Sequence, residues 1–461
     1  MMTHAQPVEP RLATGEGGAP TVQQRPSVPG RTAPYERACS WYAATSNART
    51  PRHAFDGQFH HQVVVIGAGF TGLNVAIELA ERGLDVAVLE AQEVGWGASG
   101  RNGGQVVTGF NKSLQELGRL VPKDDIQRLW DMADEGKRII QSRIEAYGIE
   151  CGYKAGYMYT AVKRGHEVWL KKLLEGWQGH GYTAARWLGR DETRALVDCP
   201  HYRGGIFDEE NGHLHPLNYA LGLGDAAERA GAAIYERSPA LALDVGAKTA
   251  IKTPEGHLTA DFVVLAGNAL LGPISSTVAR EVIPQIAPVA TYIIATEPMS
   301  PERAEAIIPG DIAVSDIMYV VNYYRRSHDH RILFGGGLDW SGLAVGDVAG
   351  RMQRAMFKWL PATRGLDVEF CWGGYVDMTI NRLPSLGRVG PNVFYAHGFS
   401  GNGLTLTGIA GRVVAEAVAG TASRFDVFAR IPHKAFPGGP HLRQPIATLG
   451  ALWYKMKDLL P

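Results

Sequence analysis

The chain has 461 residues, 45% of them hydrophobic and 20% charged, which is enough for more than one hydrophobic core. Lysine plus arginine (46) equals aspartate plus glutamate (46), which excludes the one-signed field that draws nucleic acid or an anionic membrane. The cysteines Cys39, Cys151, Cys199 and Cys371 form no CxxC pair, so neither a zinc site nor a disulfide framework is expected, and a reducing cytoplasmic setting fits.

Residues 1–34 are rich in Pro, Gly, Thr and Gln and lack the apolar core of a signal peptide, so they read as disordered. No apolar run approaches the ~20 residues that span a membrane. The first strong pattern is VVVIGAGFTGLNVAIELAERGLDVAVLEA. Val63 to Ile66 reads as a buried strand, a helix follows from Leu73 to Arg82, and DVAVLE supplies a second strand ending at Glu90. Between the first strand and the helix lies GxGxxG. Gly67 permits the turn, Gly69 admits a pyrophosphate to the backbone, and Gly72 lets helix and strand approach. Ala68, Phe70 and Thr71 complete this turn, whose free N–H groups and positive dipole end face the phosphates. Glu90, beside Ala91 and roughly 18 residues past Gly72, suits the hydroxyls of an unphosphorylated ribose.

GASGRNGGQ, from Gly97 to Gln105, comes next and is too polar and flexible for a core strand. Its backbone amides can lie against a pyrophosphate, a ribityl chain or a flavin edge. Ser99, Arg101, Asn102, Gly103, Gly104 and Gln105 are therefore cofactor candidates; alone, the segment is equally a surface loop. ADFVVLAGNAL (260–270) is a further buried strand ending at a glycine turn, with Ala266 and Gly267 as candidates and Ala240 as another. Near the C-terminus the strand–glycine turn–helix plan recurs. Asn392 to Ala396 is the strand, Gly398 to Gly403 the turn and Leu404 to Ala419 the helix; Gly398, Gly401, Asn402, Gly403, Leu404 and Thr405 are its candidates. A second helix start suits a two-ended cofactor such as FAD, with the dipole opposing negative charge on the reduced flavin.

The segments SWYAATSN (40–47), VVVIGAGFTGL, GASGRNGGQ, ENGHLHPLNYALGL (210–223), NYYRRSHDHRILFGGG (322–337), WGGYVDMTINRLPSLGRV (372–389) and HGFSGNGLTLTG (397–408) occur in order. With them the chain resembles the D-amino-acid-oxidase superfamily of FAD enzymes, and within it the branch that oxidises gamma-glutamylputrescine. The resemblance implies an α/β fold: a discontinuous Rossmann-type FAD-binding domain and a mixed-sheet α+β substrate domain. The FAD domain would take 35–150, 200–272 and 370–461; the substrate domain would take 151–199 and 273–369. It also implies oxidation of an amine C–N bond by hydride transfer to flavin, with O2 reduced to hydrogen peroxide. The relatives' lysine for a small substrate carboxylate falls at Thr405, which points to a gamma-glutamyl amine or another N-acyl polyamine. Their flavin-bonding cysteine falls near Gly374, which implies non-covalent FAD.

Hydride transfer needs positioning more than a nucleophile. DIMYVVNYYRRSHDHRILFGGG reads as two strands joined at Ser327–His330, offering Tyr319, Asn322 or Tyr324 to the flavin or to a core. Arg325 and Arg326 read as solvated. Asn381 and Arg382 precede Pro384, and Arg382 either forks a remote carboxylate or joins the domains by an ion pair. His215 either caps the helix after Pro216 or moves a proton. Arg101 serves reduced flavin or its phosphates. The tail 446–461 is amphipathic and reads as packing on the FAD domain. Two other functions stay open: an amino-acid or N-methyl-amine dehydrogenase serving a quinone or carrier, and a flavin protein without turnover. No metal site, nucleic-acid partner or membrane span is expected, and the sequence leaves the oligomeric state open.

Overall fold

The computed structural model describes residues 40–271, 277–339 and 346–437, together with Thr448. The segments read as a disordered N-terminus (1–34) and an amphipathic tail (446–461) lie outside the described residues, Thr448 apart. Two sheets organise the chain. The first runs, in spatial order, Ser385–Val389, Val393–His397, Gly256–Leu265, Gly57–Ile66, Val86–Leu89 and Ala233–Tyr235. Its four central pairings, from Val393–His397 across to Ala233–Tyr235, are parallel. Val63–Ile66 is buried on both faces, which is why this stretch is continuously apolar and does not alternate. Burying each such side chain contributes about 1.5–3 kcal/mol.

The strand Gly57–Ile66 has Val86–Leu89 on one side and Gly256–Leu265 on the other, so the chain leaves it in one direction and returns on the other. Such a reversal opens a crevice at the carboxyl ends of the strands. Helices Phe70–Ala80 and Gly403–Val418 pack side by side on one face, with Gly411 against Asn74; a Cβ on Gly411 would stand 2.6 Å from the Asn74 Cβ. Each follows a parallel strand of this sheet, so both helix starts open at the same edge.

The second sheet is mixed: Val368–Met378, Ala287–Thr296, Ile332–Asp339, Tyr323–Arg326, Ala313–Asp316, Lys154–Ala161, Gly204–His213 and Gln105–Val106, with Ala185–Leu188 on Gly204–His213. Lys154–Ala161 and Ala313–Asp316 are parallel; every other pair is antiparallel. The fold is α/β with a mixed second sheet, as expected. Among the described residues no helix is long and apolar enough to cross a membrane.

Candidate cofactor site

The first glycine turn is built as its spacing requires. Gly67 has φ 107°, a left-handed conformation that a side chain would strain, and a Cβ there would stand 3.0 Å from the Ala266 carbonyl. A Cβ on Gly72 would stand 1.9 Å from the Gly67 carbonyl oxygen, so only glycine lets the helix close on the strand. Gly69 is the N-cap and has no side chain to cap with, which leaves early N–H groups of the helix for a ligand. Glu90 sits just past the second strand. Its carboxylate accepts from the Ala68 N–H (2.7 Å) and the Gln92 N–H (2.9 Å), and burial raises its pKa above the usual carboxylate value. Ala91 follows it, and Ala240 is buried behind the same sheet.

The Gly97–Gln105 segment bridges the two helix starts. Ser99 Oγ accepts from the Phe70 N–H at 2.9 Å, so the loop reaches the beginning of the first helix, where Thr71 is also buried. Asn102 staples the loop to itself, donating to the carbonyls of Ala98 (3.0 Å) and Ser99 (2.9 Å) and accepting from the Gly104 N–H at 2.8 Å. Arg101 is buried, donates to the Trp96 carbonyl at 2.8 Å and stacks 5.2 Å above that indole. Gly104, with φ 73°, passes so close to the Leu214 carbonyl that a Cβ would stand 2.1 Å from it. Gln105 spans to the second sheet, donating to the Val314 carbonyl at 3.2 Å and accepting from Tyr157 Oη at 3.3 Å. The chain beyond is stitched to the second helix start. Thr405 Oγ1 accepts from the Val107 N–H at 3.1 Å, and Asn402 Nδ2 donates to the Gly109 carbonyl at 2.6 Å.

The third strand joins the two turns. Gly267 lies against Gly67, and the neighbouring Asn268 accepts the Gly398 N–H at 3.1 Å. Gly398 (φ 69°) and Gly401 (φ 100°) shape the turn, and Asn402, Gly403 and Leu404 begin the helix, again without a side-chain cap from its N-cap residue. Buried Asn402 Oδ1 has no hydrogen-bond partner. Two helix starts whose N-cap residues supply no side-chain cap, together with left-handed glycines, fit a long phosphate-bearing cofactor, and the orphaned Asn402 acceptor fits one of its N–H or hydroxyl donors.

Several residues singled out for chemistry are engaged by the fold. Tyr324 is buried in a core, with its hydroxyl donating to Tyr202 Oη at 2.7 Å and its ring stacked on Phe334. Strand alternation turns Tyr323 the other way, toward Gly103, whose Cβ would meet its ring at 2.8 Å. Asn322 closes a surface loop onto Asp316 at 2.7 Å, and Tyr319 is 40% exposed. Asn381 holds its own turn and donates to the Pro432 carbonyl at 2.8 Å. Arg382 is half-buried at φ 60°. His215 is the N-cap of helix Pro216–Ala230: its Nδ1 accepts the Asn218 N–H at 3.1 Å. Burial, aided by the Arg325 charge, pushes His215 down to about 3. Thr405 is fully buried.

Arg325 and Arg326 correct the expectation of solvated side chains. Arg326 pairs with Glu305 and Asp311. Arg325 is only 4% exposed and reaches the second glycine loop. Tyr42, from the SWYAATSN segment, is buried beside it, and the Trp372 indole donates to the Arg101 carbonyl at 3.0 Å. These contacts run between residues as far apart as 42 and 325, so local pattern alone gave them no signal.

A family model described as FAD dependent oxidoreductase, designated DAO, matches residues 62–417. The chain belongs to this FAD dependent oxidoreductase family. It is 36% identical over 425 residues to the gamma-glutamylputrescine oxidoreductase of Escherichia coli strain K12, covering 92% of this chain and 99% of the relative. A probable oxidoreductase OrdL of Haemophilus influenzae is 36% identical over 401 residues, covering 87% and 92%. Two solved structures share the fold. Glycine oxidase from Geobacillus kaustophilus has a TM-score of 0.65 at 21% identity, covering 78% of this chain and 95% of that one. L-proline dehydrogenase from P. horikoshii has a TM-score of 0.66 at 22% identity, covering 80% and 94%.

Proposed function

We propose that the chain is an FAD-dependent amine oxidase, placed in the cytoplasm, acting on gamma-glutamylputrescine or a related N-acyl polyamine. The observation that carries this reading is the 36% identity to the Escherichia coli oxidoreductase along nearly its whole length. It is supported by the two glycine turns at one sheet edge. When bound, FAD would take a hydride from the substrate carbon and pass both electrons to O2. In balance, one amine, one O2 and one water give one aldehyde, one ammonia and one hydrogen peroxide.

The first sheet and its helices would hold FAD, while the second sheet would cover the substrate. This division is supported by how the two sheets partition the segments expected from sequence, with Gln105–Val106, Gly204–His213 and Val368–Met378 as exceptions because they serve the second sheet. Backbone N–H groups at Gly69, Thr71 and Gly72 would take the pyrophosphate, Glu90 the ribose hydroxyls, and the Gly401–Thr405 helix start the flavin pyrimidine edge. Non-covalent attachment is supported by Gly374, which has no side chain to bond with and stands against Arg101. Buried Cys151 and Cys199, both pushed up to about 12 by burial, are poor nucleophiles. Arg382, held at a left-handed backbone angle unusual for arginine, is the candidate for the remote glutamyl carboxylate.

The test is an anaerobic bleaching screen of the reconstituted protein across gamma-glutamyl amines, free polyamines and small amino acids. Fast bleaching by gamma-glutamylputrescine, with colour and peroxide returning on admission of air, is expected. Preferential reduction by sarcosine or glycine defeats the substrate assignment. Reduction that persists in air and is relieved by a quinone defeats the oxidase assignment.

A further inference from the structure

Arg325 is a buried cation, and among the described residues no carboxylate lies within ion-pairing distance of it. Its Nε–H donates to the Gly103 carbonyl at 2.9 Å. One terminal nitrogen donates to the Leu214 carbonyl at 3.0 Å and to Tyr42 Oη at 3.2 Å; the other donates to the Arg326 carbonyl at 3.0 Å. Every acceptor is neutral. Burying a cation without a counter-charge is costly, and here only hydrogen bonds to neutral acceptors offset that cost. A salt bridge for stability is therefore not what this side chain provides. Its fork adds a side-chain tie among three pieces of chain that also touch one another: the second glycine loop, the strand end before His215, and the short helix carrying Tyr42.

We propose that Arg325 is a positioning residue for the cofactor: it fixes the Gly103–Gly104 corner of the second glycine loop, and its uncompensated charge makes that corner favour the reduced flavin. This rests on the FAD reading above. The planar fork matters because one ammonium cannot span the Gly103, Leu214 and Tyr42 acceptors in the same geometry. The charge matters because the field of a buried cation with neutral partners is not cancelled locally.

The experiment uses the full chain as wild type, Arg325→Lys and Arg325→Met. It measures amide hydrogen exchange across 98–106 in FAD-free protein, the Kd for FAD, and the flavin reduction potential. Both variants are expected to speed loop exchange and to raise Kd for FAD tenfold or more. Arg325→Met is also expected to lose about tenfold in preference for reduced over oxidised cofactor, about 30 mV for a two-electron couple. Arg325→Lys should restore that preference without restoring Kd. Wild-type exchange, Kd and potential in Arg325→Met, or wild-type exchange and Kd in Arg325→Lys should the methionine variant not fold, overturn the proposal. Lower thermal stability with unchanged Kd and potential also overturns it, leaving only a structural bolt. A wild type that binds no FAD defeats the proposed function instead, and loop exchange still decides whether Arg325 fixes the loop.

Discussion

Gly72 and Gly176 show how much a single Cβ decides. At Gly72 it would collide with the Gly67 carbonyl; at Gly176, inside helix Arg164–Gly179, it would meet nothing within 4 Å. Gly72→Ala should destabilise the FAD-free protein by about 2–4 kcal/mol and abolish FAD retention, whereas Gly176→Ala should stabilise it by about 0.5–1 kcal/mol. Thermal unfolding of both variants, with and without FAD, checks this pair. At His215 the prediction concerns pH. A folded value near 3 against roughly 6.5 in the unfolded chain means the folded state binds fewer protons. The stability is fully present above pH 6.5 and is lost as pH falls toward the folded value, by up to about 1.4 kcal/mol per pH unit. His215→Asn keeps a capping side chain, so it should stay within about 1 kcal/mol of wild type at pH 7.5. Below pH 6.5 it should lose one proton from the slope of stability against pH. A denaturation series from pH 7.5 to 4.5 that shows an unchanged slope would contradict this.

At the scale of elements, the hairpin was legible but its facing was not. Alternation and the Ser327–His330 turn predict two strands, and Tyr323–Arg326 pairs antiparallel with Ile332–Asp339. Which tyrosine faces the glycine loop depends on the sheet's placement against that loop, and it is Tyr323. Tyr324→Phe should therefore cost about 0.5–1.5 kcal/mol through the lost bond to Tyr202 and leave kcat/KM unchanged. Steady-state kinetics beside urea unfolding separates these effects. Helix Gly403–Val418 gives a related case. Thr405 is sealed against Val107, so Thr405→Lys would bury an ammonium and cost about 3 kcal/mol or more, whereas Thr405→Ser should be tolerated. A folded Thr405→Lys protein of wild-type stability would mean this position opens to a ligand.

For the whole molecule, two helix starts more than 300 residues apart in sequence share one sheet edge, so a ligand spanning them links the beginning and end of the chain. FAD at about 100 times its Kd should then stabilise the fold by about 2.7 kcal/mol, and the gain should grow with the logarithm of FAD concentration. Calorimetry over a range of FAD concentrations reads it directly; a midpoint that ignores FAD would deny the site. The glycine turns, the flanking strands and the acidic Glu90 could be read from sequence because they are local: strand, turn and helix obey short-range sterics and a fixed hydrophobic period. The burial of Arg325, the facing of Tyr323 over Tyr324 and the stitching of Val107 to Thr405 were decided only by the tertiary structure. Each depends on which distant segments meet, and a side chain's partners across hundreds of residues leave no periodic trace in its own neighbourhood.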